Sequence, residues 1–437
     1  MVLHLFTKWN PWILVSGQLY TLGLAEEEWL LFILCIILLI AVSIMHEKGI
    51  RIREALKHQS RKVIVLDVFT VYGDDYEEEG TTHINLDGLP LSFNKIMAIR
   101  DSVPAGMRYA YYFPLAKYHN TWTDFYEGKA TYAFYNEKDP YKGYSPFVFA
   151  VQYEENAKEE VVNQTEVQQI PERAELWLKK IISLCQEENV PLVLIKTPNG
   201  SAERQKLYNA VEIIAKETDT PFFNMNVLLD GQAHVNVLQA EKISKMMGEY
   251  LTEHYEFEDK RNNPEYVQWE QDSLLFYRQE AKCRLISAET YEEYISLLSD
   301  ENYVVCINAK NSGQSVFTKE DIDLLNQTLG LQCKLAKEPG LPYVAVIDGG
   351  KVVAENSTAE GTAAESLATA QADIENLHIL ISSPGNLPDQ SASIVVNGTD
   401  FSLDCDGLNI AVYDKVLGEM FEMIALDATQ DRTIIRK

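Results

Sequence analysis

The sequence predicts an α/β protein: an N-terminal transmembrane helix, a parallel-sheet domain, then a mostly β α+β domain. Three observations predict it. "WLLFILCIILLIAVSIM", Trp29 to Met45, is an uncharged apolar run of near-spanning length. From Lys62 onward, continuous apolar runs of strand length alternate with amphipathic helical stretches. Beyond Cys283, short apolar strands succeed one another around a Gly349–Gly350 turn. A chain of 437 residues is too long for one ordinary core. The expected division is residues 1–60 for the membrane segment and basic linker, 61–258 for the α/β domain, 259–282 for a helical linker, and 283–437 for the α+β domain.

At helical rise the first run, about 29–45, would cover roughly 25 Å, close to a bilayer core. It starts too far in for a signal peptide and lacks a small-residue cleavage site. Glu26, Glu27 and Glu28 precede it, whereas Lys48, Arg51, Arg53, Lys57, Arg61 and Lys62 follow, so the positive-inside rule places its C-terminal flank in the cytoplasm. With "HEKGIRIREALKHQ" after it, this region resembles the C-terminal end of bacterial membrane-bound O-acyltransferases (the MBOAT family). The resemblance covers about sixty residues. The family's acyl-transfer His and Asn/Asp positions lie upstream of the matching part, so no such activity carries over.

"KVIVLDVF", Lys62–Phe69, is a continuous β-branched strand run. "PERAELWLKKIISLCQEENV" is an amphipathic helix with Pro171 suited to its first turn and Leu176, Ile181, Leu184 and Cys185 at helical spacing. "VPLVLIKTPNG" is a buried strand ending in a turn; "SAERQKLYNAVEIIAKET" is a second helix, "PFFNMN" a third strand, and Gln239 to His254 a final helix. Such alternation, with uninterrupted apolar strands, signals a parallel sheet covered on both faces. Ligands of open α/β sheets bind beyond the carboxyl ends of the strands, where the loop bearing His234 stands.

His234 followed by "VN" and "AEK", with "LDGLPLSFNKI", "FPLAKYHNTW" and "LVLIKTPNG", resembles bacterial SGNH-type hydrolases and carbohydrate O-acyltransferases from Lys62 to Tyr255. The resemblance implies a flavodoxin-like sheet and a Ser nucleophile activated by the His. An Asp three residues earlier orients that His, because a weak hydroxyl nucleophile must lose its proton as charge builds on the carbonyl oxygen. Here Asp230 is four residues before His234 and Gly231 is three before. No "GDS" or "GSS" turn precedes Lys62, where Ser43 and Ser60 are the poor remaining candidates. The SGNH-like domain is therefore read as partial, with His234 and Asp230 as its candidate catalytic pair. His119, Asn120 and Trp122, in "KYHNTW" near Tyr111, Tyr112, Tyr118 and Tyr126, are candidate substrate contacts for sugar or acyl groups. Aromatic packing over a sheet edge is the alternative for that stretch.

A polar, turn-rich stretch near Glu258 separates the domains. "NYVVCINAK" is a strand, "TKEDIDLLNQTLGL" a capped helix and "LPYVAVIDGGKVVAE" a hairpin. "LHILISS", "ASIVVNGTDF", "LNIAVYD" and "EMIALDA" are strands, while the small-residue stretch "ENSTAEGTAAESLATAQADIEN" is expected as a loop or weak helix. "SIVVNGTDFSLDCDGLNIAVYDKVLGEMFEMIALDA" resembles the interleukin-like inducer (ILEI/PANDER) domain, which implies a binding role rather than catalysis. Leu426, Asp427 and Ala428 stand where that family tends to show Phe-Asp-Thr.

A formal net charge of −27 and the lack of a basic stripe argue against nucleic acid as a partner. The six cysteines show no metal-ligand spacing, and no metal or cofactor is expected. The resemblances together imply a membrane-anchored protein associated with O-acylation or deacylation of surface carbohydrate, accessory or catalytically degenerate. Its partners would be the membrane, a surface polysaccharide and a membrane acyltransferase. They also place the soluble domains outside the membrane, in conflict with the basic flank. An active esterase or O-acyltransferase using His234, or a non-catalytic glycan- or protein-binding protein, are the alternatives.

Overall fold

The computed structural model describes residues 35–38, 45, 49, 52–53, 56, 63–73, 86, 91–113, 140–141, 144–149, 157–198, 201–228, 235–257, 263–311, 317–335, 337, 340–357, 367–387, 390–427 and 433–436. The chain divides into two compact units, Met1–Phe276 and Tyr277–Lys437.

In the first unit, strands β1 (Cys35–Leu38), β2 (Val63–Asp67), β3 (Leu192–Lys196) and β4 (Phe222–Asn224) pair in parallel in that spatial order. Every residue of β2 and β3 is buried, as a sheet covered on both faces requires. Short helices α1 (Phe93–Ser102), α2 (Arg108–Tyr112) and α3 (Ala157–Val162) precede the three long ones: α4 (Glu172–Glu187), α5 (Ala202–Glu217) and α6 (Val237–His254). Pro171 serves as the N-cap of α4. The buried stripe of α4 is Ala174, Trp177, Leu178, Ile181, Ile182 and Cys185, whereas Leu176 is half exposed. Ile64 and Leu66 of β2, Leu192 and Leu194 of β3, and apolar residues of α4 and α5 share one core.

The expected transmembrane helix is corrected here. Cys35–Leu38, in the middle of the Trp29–Met45 run, is a strand in register with Val63–Leu66. Among the described residues no helix is long and apolar enough to cross a membrane. The fold class therefore loses its N-terminal spanning helix, and the expectation of membrane anchoring loses its basis. The physical reason is that strands of a parallel sheet are often written as unbroken apolar runs, which periodicity cannot separate from an apolar helix.

The second unit contains the C-terminal part of α7 (Val267–Ser287), then α8 (Tyr291–Leu297), β5 (Tyr303–Lys310) and α9 (Lys319–Leu329). Strands β6 (Tyr343–Asp348), β7 (Lys351–Ser357), β8 (Ala368–Ile374), β9 (Leu377–Ser383), β10 (Ser393–Val396), β11 (Thr399–Asp400), β12 (Gly407–Asp414), β13 (Glu419–Asp427) and β14 (Ile434–Arg436) complete it. They form a six-stranded sheet in the order β14-β13-β12-β5-β6-β7 and a four-stranded sheet in the order β11-β10-β9-β8. Both sheets are antiparallel. One face of the larger sheet packs Tyr303, Val305 and Ile307 against Tyr294, Ile295, Ile322 and Leu325 of the helices. Its other face packs Val304, Cys306, Val344 and Val346 against Ile379, Ile381 and Ile394 of the smaller sheet. This makes three layers, with β5 buried on both sides.

Local chemistry sets the boundaries. Thr318 and Asp321 form a reciprocal capping box at the start of α9, satisfying two amide donors that the first turn would otherwise leave open. "ASIVVNGTDF" is not one strand but the β10–β11 hairpin, turned at Asn397–Gly398. The stretch expected as a loop or weak helix contains β8, paired with β9 from Ala368↔Ser383 to Ile374↔Leu377.

Candidate functional site

The carboxyl ends of β2, β3 and β4 carry a buried polar network. Each strand ends on a polar residue after its apolar run: Asp67, Lys196 and Asn224. Asp67 Oδ1 accepts the backbone N–H of Phe69 at 2.9 Å, and its Oδ2 accepts the Thr197 hydroxyl at 3.0 Å, so one carboxylate ties the exits of two strands. Asn224 Oδ1 accepts the N–H of Asn226 at 3.2 Å.

Lys196 is the unusual member. Its side chain is fully buried. Nζ donates to Asn226 Oδ1 at 2.8 Å and stands 4.8 Å from the centroid of the Tyr208 ring. Asn226 in turn donates to Gln205 Oε1 at 2.6 Å, and Gln205 donates to Asn209 Oδ1 at 2.8 Å. The Tyr208 hydroxyl donates to the carbonyl of Phe69 at 2.8 Å. Burial pushes the Lys196 amine well below the ordinary lysine range; Asp67 pulls it up and Arg204 pushes it further down. Arg204 lies toward solvent, its guanidinium 3.9 Å from the centroid of the Tyr72 ring.

The flanks of the segment 229–234 are held from both sides. Gln239 donates to the carbonyl of Leu228 at 3.2 Å. Asn236 caps α6 by accepting the N–H of Gln239 at 3.0 Å, and the Val237 N–H donates to the carbonyl of Phe147 at 2.9 Å. His234 and Asp230 themselves lie outside the described residues, as do His119, Asn120 and Trp122.

What sequence reasoning missed is Asp67, Lys196, Thr197, Gln205, Tyr208 and Asn226. The available signal was the charged residue closing each of "VIVLD" and "LVLIK", since a charge at the end of a fully apolar strand must find a buried partner. Among the described residues no group of three His, Cys, Asp or Glu side chains converges as a metal site. No family model, curated protein or solved structure matches this chain.

Proposed function

We propose that the chain is a non-catalytic accessory protein of carbohydrate O-acylation or deacylation, its first unit an SGNH-like scaffold and its second a binding module. One observation carries the reading. Asp67, Lys196, Thr197 and Asn226, at the strand ends where α/β enzymes place their chemistry, are buried and hydrogen-bonded within the network. A lysine sealed in this way fixes strand exits and does not meet a substrate. The one-residue offset between Asp230 and His234 supports the same reading.

The test is hydrolysis of a chromogenic acetyl ester by the full chain beside His234→Ala. Both proteins are expected to be equally inert. Turnover by the wild type that falls by several orders of magnitude in the variant would make the chain an esterase and overturn the proposal.

A further inference from the structure

The β10–β11 hairpin turns on Asn397–Gly398, with φ of 50° and 84°, the two left-handed residues of the tight turn that suits twisted strands. Asn397 also serves as a clasp. Its Oδ1 accepts the backbone N–H of His378 at 2.7 Å, and its own N–H donates to the carbonyl of His378 at 2.8 Å. Its Nδ2 donates to the carbonyl of Asn376 at 3.2 Å. The turn of the β8–β9 hairpin is thus fastened to the turn of the next one. Gly398 is exposed, and a Cβ placed on it would have no neighbour within 4 Å.

We propose that Asn397 is a deamidation site gated by this clasp, so that the four-stranded sheet records its own opening chemically. In the reaction the Gly398 backbone nitrogen attacks the Asn397 side-chain carbonyl carbon. A C–N bond forms, the bond to the amide nitrogen breaks, and ammonia leaves a five-membered succinimide. Water then opens the ring at either carbonyl, giving aspartate or isoaspartate, so the net change is water consumed and ammonia released. Glycine offers no side chain to hinder the attack. In the folded sheet both polar atoms of the amide are engaged, and they must let go before the carbonyl carbon can be approached. The change is self-sealing. Aspartate would set an oxygen where Nδ2 now donates to Asn376, and isoaspartate would add a backbone methylene to a two-residue turn. Aspartate can keep the two bonds with His378 but not the one to Asn376, and isoaspartate changes the turn that places all three, so neither product restores the whole clasp.

The experiment incubates the full chain at neutral pH, natively and in guanidinium chloride, and follows the mass gain and isoaspartate content of the peptide containing Asn397. Deamidation is expected to be at least about tenfold slower in the native chain, because reaction requires local opening. Asn397→Asp, the reaction product, is expected to melt about 2–4 °C below wild type. Equal rates in the two conditions would overturn the gating, and a variant melting with the wild type would overturn the sealing.

Discussion

Arg278→Ala lowers the stability of the second unit by about 3–5 kcal/mol. Arg278 leaves α7 into a buried position, where Nε donates to Asp414 Oδ2 at 2.6 Å and Nη1 to Asp300 Oδ2 at 2.7 Å. The guanidinium carbon is 4.9 Å from the Tyr303 ring centroid and 6.0 Å from that of Phe421. Asp414 is fully buried, and its other oxygen accepts the N–H groups of Val416 and Leu417 at the turn after β12. Removing the arginine leaves that carboxylate charged and buried without its cation, which costs more than the pair itself contributes. Hydrogen exchange of the full chain should show it as faster opening of Tyr303–Lys310 and Gly407–Asp414. Arg278→Lys should fall between, since an ammonium keeps the charge but lacks the rigid planar fork that reaches Asp414 and Asp300 from different nitrogens. A loss below about 1 kcal/mol for the alanine variant would mean that Asp300 and the turn amides do not depend on Arg278.

The second large effect is a pH slope. With its folded-state pKa lowered well below the ordinary value, Lys196 carries fewer protons in the native chain than in the unfolded one. Stability of the first unit therefore rises with pH from the lowered native value up to the unfolded lysine value near 10.4, by about 1.4 kcal/mol per pH unit, and is level beyond it. Other lysines and tyrosines titrate in the same range, so the readout is a difference. Lys196→Met, similar in length and without the amine, should remove this part of the slope in chemical denaturation across that window. Identical slopes in the two proteins would mean that Lys196 stays charged inside.

Parts of this architecture are written locally and were readable from the residues. Strands β2 and β3 are unbroken apolar runs closed by a charged residue, and α9 carries Thr318, Asp321 and Gly330 at its ends. The Gly349–Gly350 turn announces the β6–β7 hairpin. What failed depends on partners outside the stretch itself. The Trp29–Met45 run suits a membrane helix or a strand of a parallel sheet equally, and only pairing with β2 decides for the strand at Cys35–Leu38. "ATAQADI" is alanine-rich and low in strand propensity, yet Ala368, Ala372 and Ile374 point into the core once β9 lies alongside, so tertiary pairing overrides propensity. The Lys196 network joins residues from three separate stretches, and a sequence does not show which polar side chains will meet. His234, Asp230, His119, Asn120 and Trp122 were legible as a pattern of residue types, and a pattern of types is not a geometry.

The pairing of β5 with β12 has a consequence for synthesis. β5 is the middle of the larger sheet, and its neighbour on one side arrives only after β6 to β11, with Lys310 opposite Gly407 and Tyr303 opposite Asp414. A ribosome making this protein emits β5, β6 and β7 well before the strand that closes their open side. Until then the apolar edge at Val305, Ile307 and Ala309 is available to any other extended chain. Nascent chains stalled before Gly407 should thus leave the second unit open to protease, and those released after Asp427 should resist it. Resistance before Gly407 would mean that β5 finds shelter without β12. The vulnerable interval of this protein's life falls while it is still being made.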